Sequence, residues 1–530
     1  MKDILKEKYP AKAHIKSVLS YLQTFLSSSP ATSSSSCLAS DLLAQYIIYI
    51  PGTASEAYDD TDSEVPFRQS RHFFYVTGCN LPDCSYTYDV GAGKSTLYLP
   101  APPSARTQVY NGPSLTPSAA KELYDVDDVQ IRTELDALLA TSPHIMALTS
   151  ATTISKDWPI LTLQSLVPIH HAGIKQPAVP ILKLAIDAAR LTKSPYEVAL
   201  IREANRISSL AHEAVMRGAR HARNERELKA VFVGECIRHG ADEQAYGPIV
   251  AAGESGATLH YMSDSAEITD EMRNLLVDAS GEFRCYASDI TRTFPLKGQF
   301  DEESRAVYEI VLEMQKTCIG MLKAGVDYPG EVNDVAHSIM VDGLLKLGIL
   351  RGKKEEILEN GIDYLFLMHG LGHYIGLETH DVGGPRKPAA KSAMLLPHQR
   401  RGVSEVEALH HEIIVNAVSA GGLPAGSVIT VEPGIYINRL LLGPALEDDK
   451  VKKFIDKDVL DKYWKVGGVR IEDCVLITES GYDNLTTAPK EIDELEAITS
   501  RKAGNEWQFV DIKHDVSVQA GMMANIQISF

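Results

Sequence analysis

Cysteine is scarce in this chain and never closely paired. Its seven cysteines, Cys37, Cys79, Cys84, Cys236, Cys285, Cys318 and Cys474, contain no CxxC spacing. An odd, scattered set argues against a disulfide scaffold or a structural cysteine–zinc centre, and fits reduced thiols in a cytoplasmic protein. Long hydrophobic runs are also missing. The longest candidate, Leu42 to Pro51, has the length of a buried strand, so no membrane span is expected. Charges interrupt Met1 to Lys8, so no secretory leader is expected, and the sequon Asn484-Leu485-Thr486 then carries no meaning. Positive charge is in deficit, with 52 Lys and Arg against 70 Asp and Glu and a net charge of −18. That balance argues against nucleic acid or an anionic membrane as the main partner. No GxSxG occurs, which argues against an ordinary serine hydrolase. His411-Glu412-Ile413-Ile414-Val415 begins like a zincin motif but lacks the second histidine, and Gly370-Leu371-Gly372 lacks the third glycine of a dinucleotide loop.

What is present is a long chain, 530 residues with 44% in the hydrophobic class, enough for two cores. An amphipathic helix is predicted over Ala11 to Phe25. The serine-rich Ser27 to Ser36 and the acidic Glu56 to Glu64 read as exposed loops. Strand-like runs at Phe73 to Val76, Ser95 to Leu99 and His144 to Leu148 alternate with helical patterns at Ala119 to Tyr124 and Glu134 to Ala140. The alternation predicts an α/β N-terminal domain over residues 1–185.

Ser194-Pro195-Tyr196-Glu197 is a helix start with a capping box and an early proline. Val198, Ile201, Ala204, Ile207, Leu210 and Ala214 follow at helical spacing as its apolar face. Two more helices are predicted, from Asp301 to a stop at Gly325 and from Glu331 to Leu347.

The strands between and after these helices carry charge where apolar residues belong. Leu275-Leu276-Val277 ends in Asp278, and Asp289 stands in a β-prone segment eleven residues on, with Ser280-Gly281-Glu282 as the expected turn of a hairpin. His369-Gly370-Leu371-Gly372-His373 and Thr379-His380-Asp381 follow. Glu432 lies inside the β-run Val428 to Gly434, and Glu472 inside Gly468 to Val475. Singly, each has a structural explanation: a turn aspartate, a hydrogen-bonded core histidine, a glutamate ending a strand before proline. Together, four carboxylates and a histidine in apolar or glycine-rich segments would each cost several kcal/mol unpaired. Two divalent cations would offset them. Oxygen and imidazole donors without thiolate suit manganese, cobalt, zinc or iron. Paired ions of that kind polarise carbonyls and lower the pKa of water, the chemistry of amide hydrolysis.

The ordered set Asp278, Asp289, His373, Glu432, Glu472 resembles the pita-bread metallopeptidase family. Asp289-Ile290-Thr291-Arg292-Thr293-Phe294-Pro295, Thr258-Leu259-His260-Tyr261, Gly468-Val469-Arg470-Ile471-Glu472-Asp473 and the N-terminal Pro66-Phe67-Arg68-Gln69 resemble its aminopeptidase P and prolidase branch, with a fungal-type look. The resemblance covers about residues 5–500. It implies an α/β (α+β) chain with a creatinase-like N-terminal domain and a pita-bread catalytic domain over 186–500. It also implies that Asp289 and Glu472 bridge two metal ions, that Asp278 is private to one, and that His373 and Glu432 serve the other. Manganese is the first expectation, with cobalt and zinc as alternatives. By the same resemblance His260, His369 and His380 line the substrate pocket, and Arg470 orients a ligand or binds substrate. Glu432 doubles as proton shuttle.

The implied activity is removal of an N-terminal residue from peptides with proline second. Prolidase action on Xaa-Pro dipeptides is the alternative, and a non-catalytic peptide-binding module is the alternative of another class. A homodimer fits the family. Two segments depart from its pattern: Val403 to Ala420 reads as an insertion and Arg501 to Phe530 as a disordered extension. Cys474 is expected on the strand face of Glu472, as a packed neutral thiol or as an oxidation-sensitive one.

Overall fold

Alternating apolar runs in the first 150 residues build one mixed sheet. A computed structural model describes residues 4–27, 36–142, 144–148, 181–383, 405–419 and 421–500. Residues 28–35 of the serine-rich stretch, most of the segment from Gly384 on and the tail from Arg501 lie outside them, while Ser27 ends one helix and Ser36 opens another. Helix α1 (Ala11–Ser27) buries Ile15, Val18, Leu22 and Leu26 along one stripe. Strands β1 (Ile47–Pro51), β2 (Ser85–Asp89), β3 (Lys94–Leu99), β4 (Asp128–Ile131) and β5 (Ile145–Ala147) form a sheet in the order β4-β3-β2-β1-β5. The inner pairs are antiparallel, while β3 with β4 and β1 with β5 run parallel. Glu56 to Glu64 is exposed, as expected.

Phe73 to Val76 corrects one reading. The segment is helix α2 (Arg71–Thr77), not a strand. A four-residue apolar run fits a buried helix as well as a strand. Here Ser70 caps the N-terminus and Gly78, left-handed at φ 67°, stops the chain at the C-terminus.

Helix α3 (Ile181–Leu191) spans the boundary expected at residue 185. Ile181, Leu182, Ala185, Ile186 and Ala189 pack into the N-terminal core, and Leu184, Ala188 and Leu191 into the larger C-terminal one. Helix α4 (Pro195–Ala219) opens on the predicted capping box, with Ser194 and Glu197 bonded reciprocally. Its buried face is broader than the predicted stripe: Val198, Leu210 and Ala214 are only half-buried, whereas Asn205, Ser208, Ser209 and His212 are fully enclosed. Helices α5 (Glu225–Arg238), α6 (Glu302–Gly320) and α7 (Asn333–Lys346) complete the shell. Helix α6 ends before Gly325, which takes a left-handed φ in the loop beyond. Within the expected insertion, helix α8 (Glu405–Val418) lies on α3 and buries Ile414 completely. No helix among the described residues is long and apolar enough to cross a membrane.

The C-terminal strands are short. β7 (Ile249–Ala252), β8 (Asn274–Asp278) and β11 (Thr291–Pro295) form an antiparallel sheet in the order β11-β8-β7. β9 (Gly281–Phe283) and β10 (Tyr286–Ala287) form a hairpin between β8 and β11, with β6 (Glu243–Gln244) on the other edge of β9, so Ser280-Gly281-Glu282 is not the turn. The chain reverses at Arg284 and Cys285, with φ of 47° and 67°. Positive φ without glycine leaves no local sequence mark, so the sequence pattern puts the turn too early. β12 (Val428–Val431) and β13 (Gly434–Tyr436) are separated by Glu432-Pro433. β14 (Gly468–Arg470) and β15 (Asp473–Ile477) are separated by Ile471-Glu472. β12 pairs with β15 and β13 with β14. Each glutamate therefore stands where a strand read as continuous changes partner.

Candidate metal centre

Strand pairing places the first two carboxylates. Asp278 is the last residue of β8 and lies opposite Thr291, so Asp289, two residues before Thr291, comes alongside. The Tyr246 hydroxyl reaches both, 2.5 Å from Asp278 Oδ1 and 2.6 Å from Asp289 Oδ1. One hydroxyl hydrogen thus stands between two carboxylates.

Glycine sets the third donor. The loop carrying His373 runs against β12, with Tyr374 bridged to Ile429. A Cβ on Gly372 would overlap the Thr430 carbonyl and the Tyr328 hydroxyl, so only glycine permits the approach. His373 Nδ1 lies 3.0 Å from the Tyr374 carbonyl, a pure acceptor, so Nδ1 carries the hydrogen and directs Nε2 inward. Nε2 is 3.3 Å from Asp289 Oδ2 and 3.6 Å from Glu432 Oε1. Asp289, His373 and Glu472 present one donor atom each within 4.8 Å of one another.

Glu472 is fixed from both sides. Its Oε2 accepts from Thr291 Oγ1 at 2.6 Å, and its carbonyl accepts from Arg292 Nη1 at 2.7 Å. Arg292, fully buried, also donates to Asp473 at 2.7 Å. Arg470 donates through Nη2 to Asp278 at 2.6 Å, through Nε to Thr291 at 3.0 Å, and through Nη1 to the Tyr436 hydroxyl at 3.0 Å. That hydroxyl lies 2.7 Å from His369 Nε2, while His369 Nδ1 lies 2.7 Å from the Gly370 carbonyl. Both His369 nitrogens are therefore engaged by the chain itself. Burial and the nearby Arg470 push its pKa down to about 3, which leaves the ring neutral. His380 packs against His373 with ring centroids 4.1 Å apart. His260 is exposed on the loop after β7, near enough to act electrostatically on His369 and His380.

All five expected donors, and Arg470 with them, thus converge on one place. Tyr246, Thr291 and Tyr436 were missed, because a lone tyrosine or threonine in an apolar segment reads as core. Cys474 is buried, its Sγ 3.2 Å from both the backbone N and O of Asp289, and burial raises its pKa well above the usual thiol range. It is a packed neutral thiol.

The charge balance fits divalent ions. Burial lifts the carboxyl of Asp278 against the pull of Arg470. Burial, reinforced by Asp289, Glu432 and Asp278, holds Glu472 well above the carboxylate range. Glu432 is pushed up to about 7, mainly by burial. Burial favours a neutral His373, but Asp289 and Glu432 outweigh it and raise its pKa to about 9. Buried carboxyls raised in this way are a set whose charge divalent cations would offset, and its donors are all oxygen and imidazole nitrogen.

A model of metallopeptidase family M24 matches residues 199–479, the span that contains every donor. The chain belongs to metallopeptidase family M24. The N-terminal domain of aminopeptidase P matches residues 36–146 of this M24 chain. Among curated relatives, a probable Xaa-Pro aminopeptidase of Botryotinia fuckeliana is 45% identical over 495 residues, 93% of this chain and 98% of the relative. One of Talaromyces stipitatus is 44% identical, covering 93% and 97%. Aminopeptidase P from E. coli, solved with the inhibitor Pro-Leu, superposes with a TM-score of 0.66 at 29% identity, over 87% of this chain and 96% of that one. A Zn-substituted form of the same enzyme in complex with product gives 0.65 at 28% identity, over 87% and 97%. The M24 chain accordingly pairs an aminopeptidase P-type N-terminal domain with a pita-bread domain.

Proposed function

We propose that this chain is an Xaa-Pro aminopeptidase, a metallo-exopeptidase that hydrolyses the bond between an N-terminal residue and a following proline. The observation that carries the reading is the convergence of Asp278, Asp289, His373, Glu432 and Glu472 in a chain that matches Xaa-Pro aminopeptidases along nearly their whole length. In this reading Asp289 and Glu472 would serve both ions, Asp278 would hold one, and His373 and Glu432 would hold the other. Manganese is the proposed ion. When bound, such ions act as Lewis acids on the scissile carbonyl and lower the pKa of water.

The chain's own residues supply the rest. Glu432 can take a proton from the attacking water and deliver it to the departing proline nitrogen. The Xaa-Pro amide nitrogen carries no hydrogen, so the N–H of the released proline must be delivered to it. His380 and His260 are proposed to donate to the substrate carbonyl and its oxyanion. His369, bonded at both nitrogens, is proposed to shape the pocket through Tyr436 and Arg470. Arg470 orients Asp278.

We also propose the division into 1–185 and 186–500, with 403–420 an insertion and 501–530 an extension. The two family matches fall inside the first two segments. A cytoplasmic location accords with six free buried cysteines among the described residues, and a homodimer is proposed from the resemblance alone.

Purified protein supplied with Mn²⁺ under reducing conditions should release the first residue from an Xaa-Pro-Xaa tripeptide. The Asp289→Asn variant should be folded and inactive. Cleavage of Xaa-Pro dipeptides alone would make the chain a prolidase, and cleavage of neither would leave a peptide-binding module.

A further inference from the structure

Helix α4 buries a polar row where a core helix would be apolar. Asn205, Ser208, Ser209 and His212, at i, i+3, i+4 and i+7, are each at most 2% exposed. Such burial is tolerated only when hydrogen bonds replace water. The bonds lead to the segments that carry the metal-site residues. Ser208 Oγ accepts from the Gly281 amide at 2.9 Å and meets Ser288 Oγ at 2.8 Å. Asn205 Oδ1 accepts from Thr486 Oγ1 at 2.8 Å, and Thr486 Oγ1 accepts from the Cys474 amide at 2.9 Å.

His212 makes the most informative contact. Its Nε2 lies 3.0 Å from the Ala279 carbonyl and 3.1 Å from the Ile290 carbonyl. Carbonyls only accept, so Nε2 carries the hydrogen and shares it between them. Burial and the neighbouring Arg292 push the ring's pKa down to about 3, so it is neutral. Its Nδ1 has no hydrogen-bond partner among the described residues. Ala279 follows Asp278 directly, and Ile290 follows Asp289. The regular β8–β11 ladder ends at Asp278 and Thr291. Beyond it the Ala279 N–H donates to the Ile290 carbonyl at 3.2 Å and the Ser288 N–H to the Gly281 carbonyl at 3.4 Å, before pairing resumes in the β9–β10 hairpin. His212 stands at that break in the ladder, bonded to both sides.

We propose that His212 is a positioning residue for the metal centre, fixing the separation of the two backbones that carry Asp278 and Asp289 and thereby the affinity for the second divalent ion. It lies behind both aspartates, has no solvent exposure and touches neither carboxylate. This inference rests on the proposed metal reading.

The test titrates metal-free, full-length protein with Mn²⁺ by calorimetry and records the electron paramagnetic resonance of the loaded sample. His212→Leu keeps apolar bulk but has no N–H; His212→Gln can place an amide N–H where Nε2 stands. The leucine variant should bind the first ion normally and the second roughly 10–100-fold more weakly, the usual cost of losing a support behind a ligand. Its spectrum should show isolated Mn²⁺ in place of an exchange-coupled pair. The glutamine variant should recover the affinity to within about threefold and restore the coupled signal. If circular dichroism shows His212→Leu unfolded, His212→Asn, whose amide is too short to reach, takes its place. A leucine or asparagine variant with undiminished second-ion affinity and a coupled signal overturns the proposal, as does a folded glutamine variant no better than them. Asp289→Asn separates the two levels. If it also keeps both ions, the metal reading falls and takes this inference with it; if it loses them while His212→Leu does not, only the role of His212 is wrong.

Discussion

Stripping the divalent ions should make the protein's stability fall as pH rises from about 7 to 9. In the metal-free chain the Glu432 carboxyl stands at about 7 against an ordinary 4.5, chiefly through burial. The folded protein then keeps a proton that the unfolded chain gives up, so stability is lost progressively between about pH 4.5 and 7. The difference of about 2.5 units corresponds to about 3 kcal/mol at 1.36 kcal/mol per unit. His373, raised from 6.5 to about 9, has the same sign. The stability it contributes is full below about 6.5 and gone above about 9. The two side chains lie 3.6 Å apart and share their protons, so the contributions do not simply add. Urea unfolding with a chelator, near pH 7, 8 and 9, should show midpoints that decline steadily; below about 6.5 the lowered pKa values of the buried His212, His369 and His380 work in the opposite sense. With Mn²⁺ present the profile should be flatter, because metal replaces the protons. Calorimetry in buffers of different ionisation enthalpy should accordingly show proton release on Mn²⁺ binding at pH 6, and less of it at pH 8. Metal-free stability that is constant or rises over that range would refute the account of the buried carboxylates.

Three further outcomes follow from particular contacts. His380→Ala should lower the peptidase rate and leave metal content unchanged by elemental analysis, because its ring packs on His373 but is not among the donor set. Asp381→Asn should cost about 3–5 kcal/mol in urea unfolding, since Lys193 and Arg190, bonded to it at 3.0 and 2.6 Å, lose their nearest carboxylate, and Arg190 keeps only Asp187 and Glu378 at 3.8 and 3.6 Å. Ile414→Ala should cost about 2–5 kcal/mol, as expected for a fully buried isoleucine, if α8 is a packed part of the fold.

The donor set was legible because each member interrupts an apolar run. Asp278 ends Leu275-Leu276-Val277 and Glu432 ends Val428-Ile429-Thr430-Val431, and few structural roles explain charge there. Strand breaks were not legible. Val428 to Gly434 and Gly468 to Val475 read as continuous strands, whereas both change partner at their glutamates, a consequence of tertiary pairing. The turn at Arg284-Cys285 lacked any glycine signal. The face of α4 was misjudged because apolar periodicity discounts serine and histidine, and in this protein those residues bond to the backbone behind the site. Tyr246 left no mark at all, since its role depends on two aspartates more than thirty residues away.

Helix α3 carries a consequence for how such chains can recombine. The same eleven residues dock on α1 and supply Arg190 to Asp381, the neighbour of His380. His72, from the N-terminal side, meets Asp187 in the middle of that helix at 2.8 Å. A chimaera joined on either side of α3 would inherit one of its two faces without the matching surface. Exchange of the N-terminal unit between relatives should therefore register as altered turnover as well as altered solubility, and the two units can be expected to diversify together.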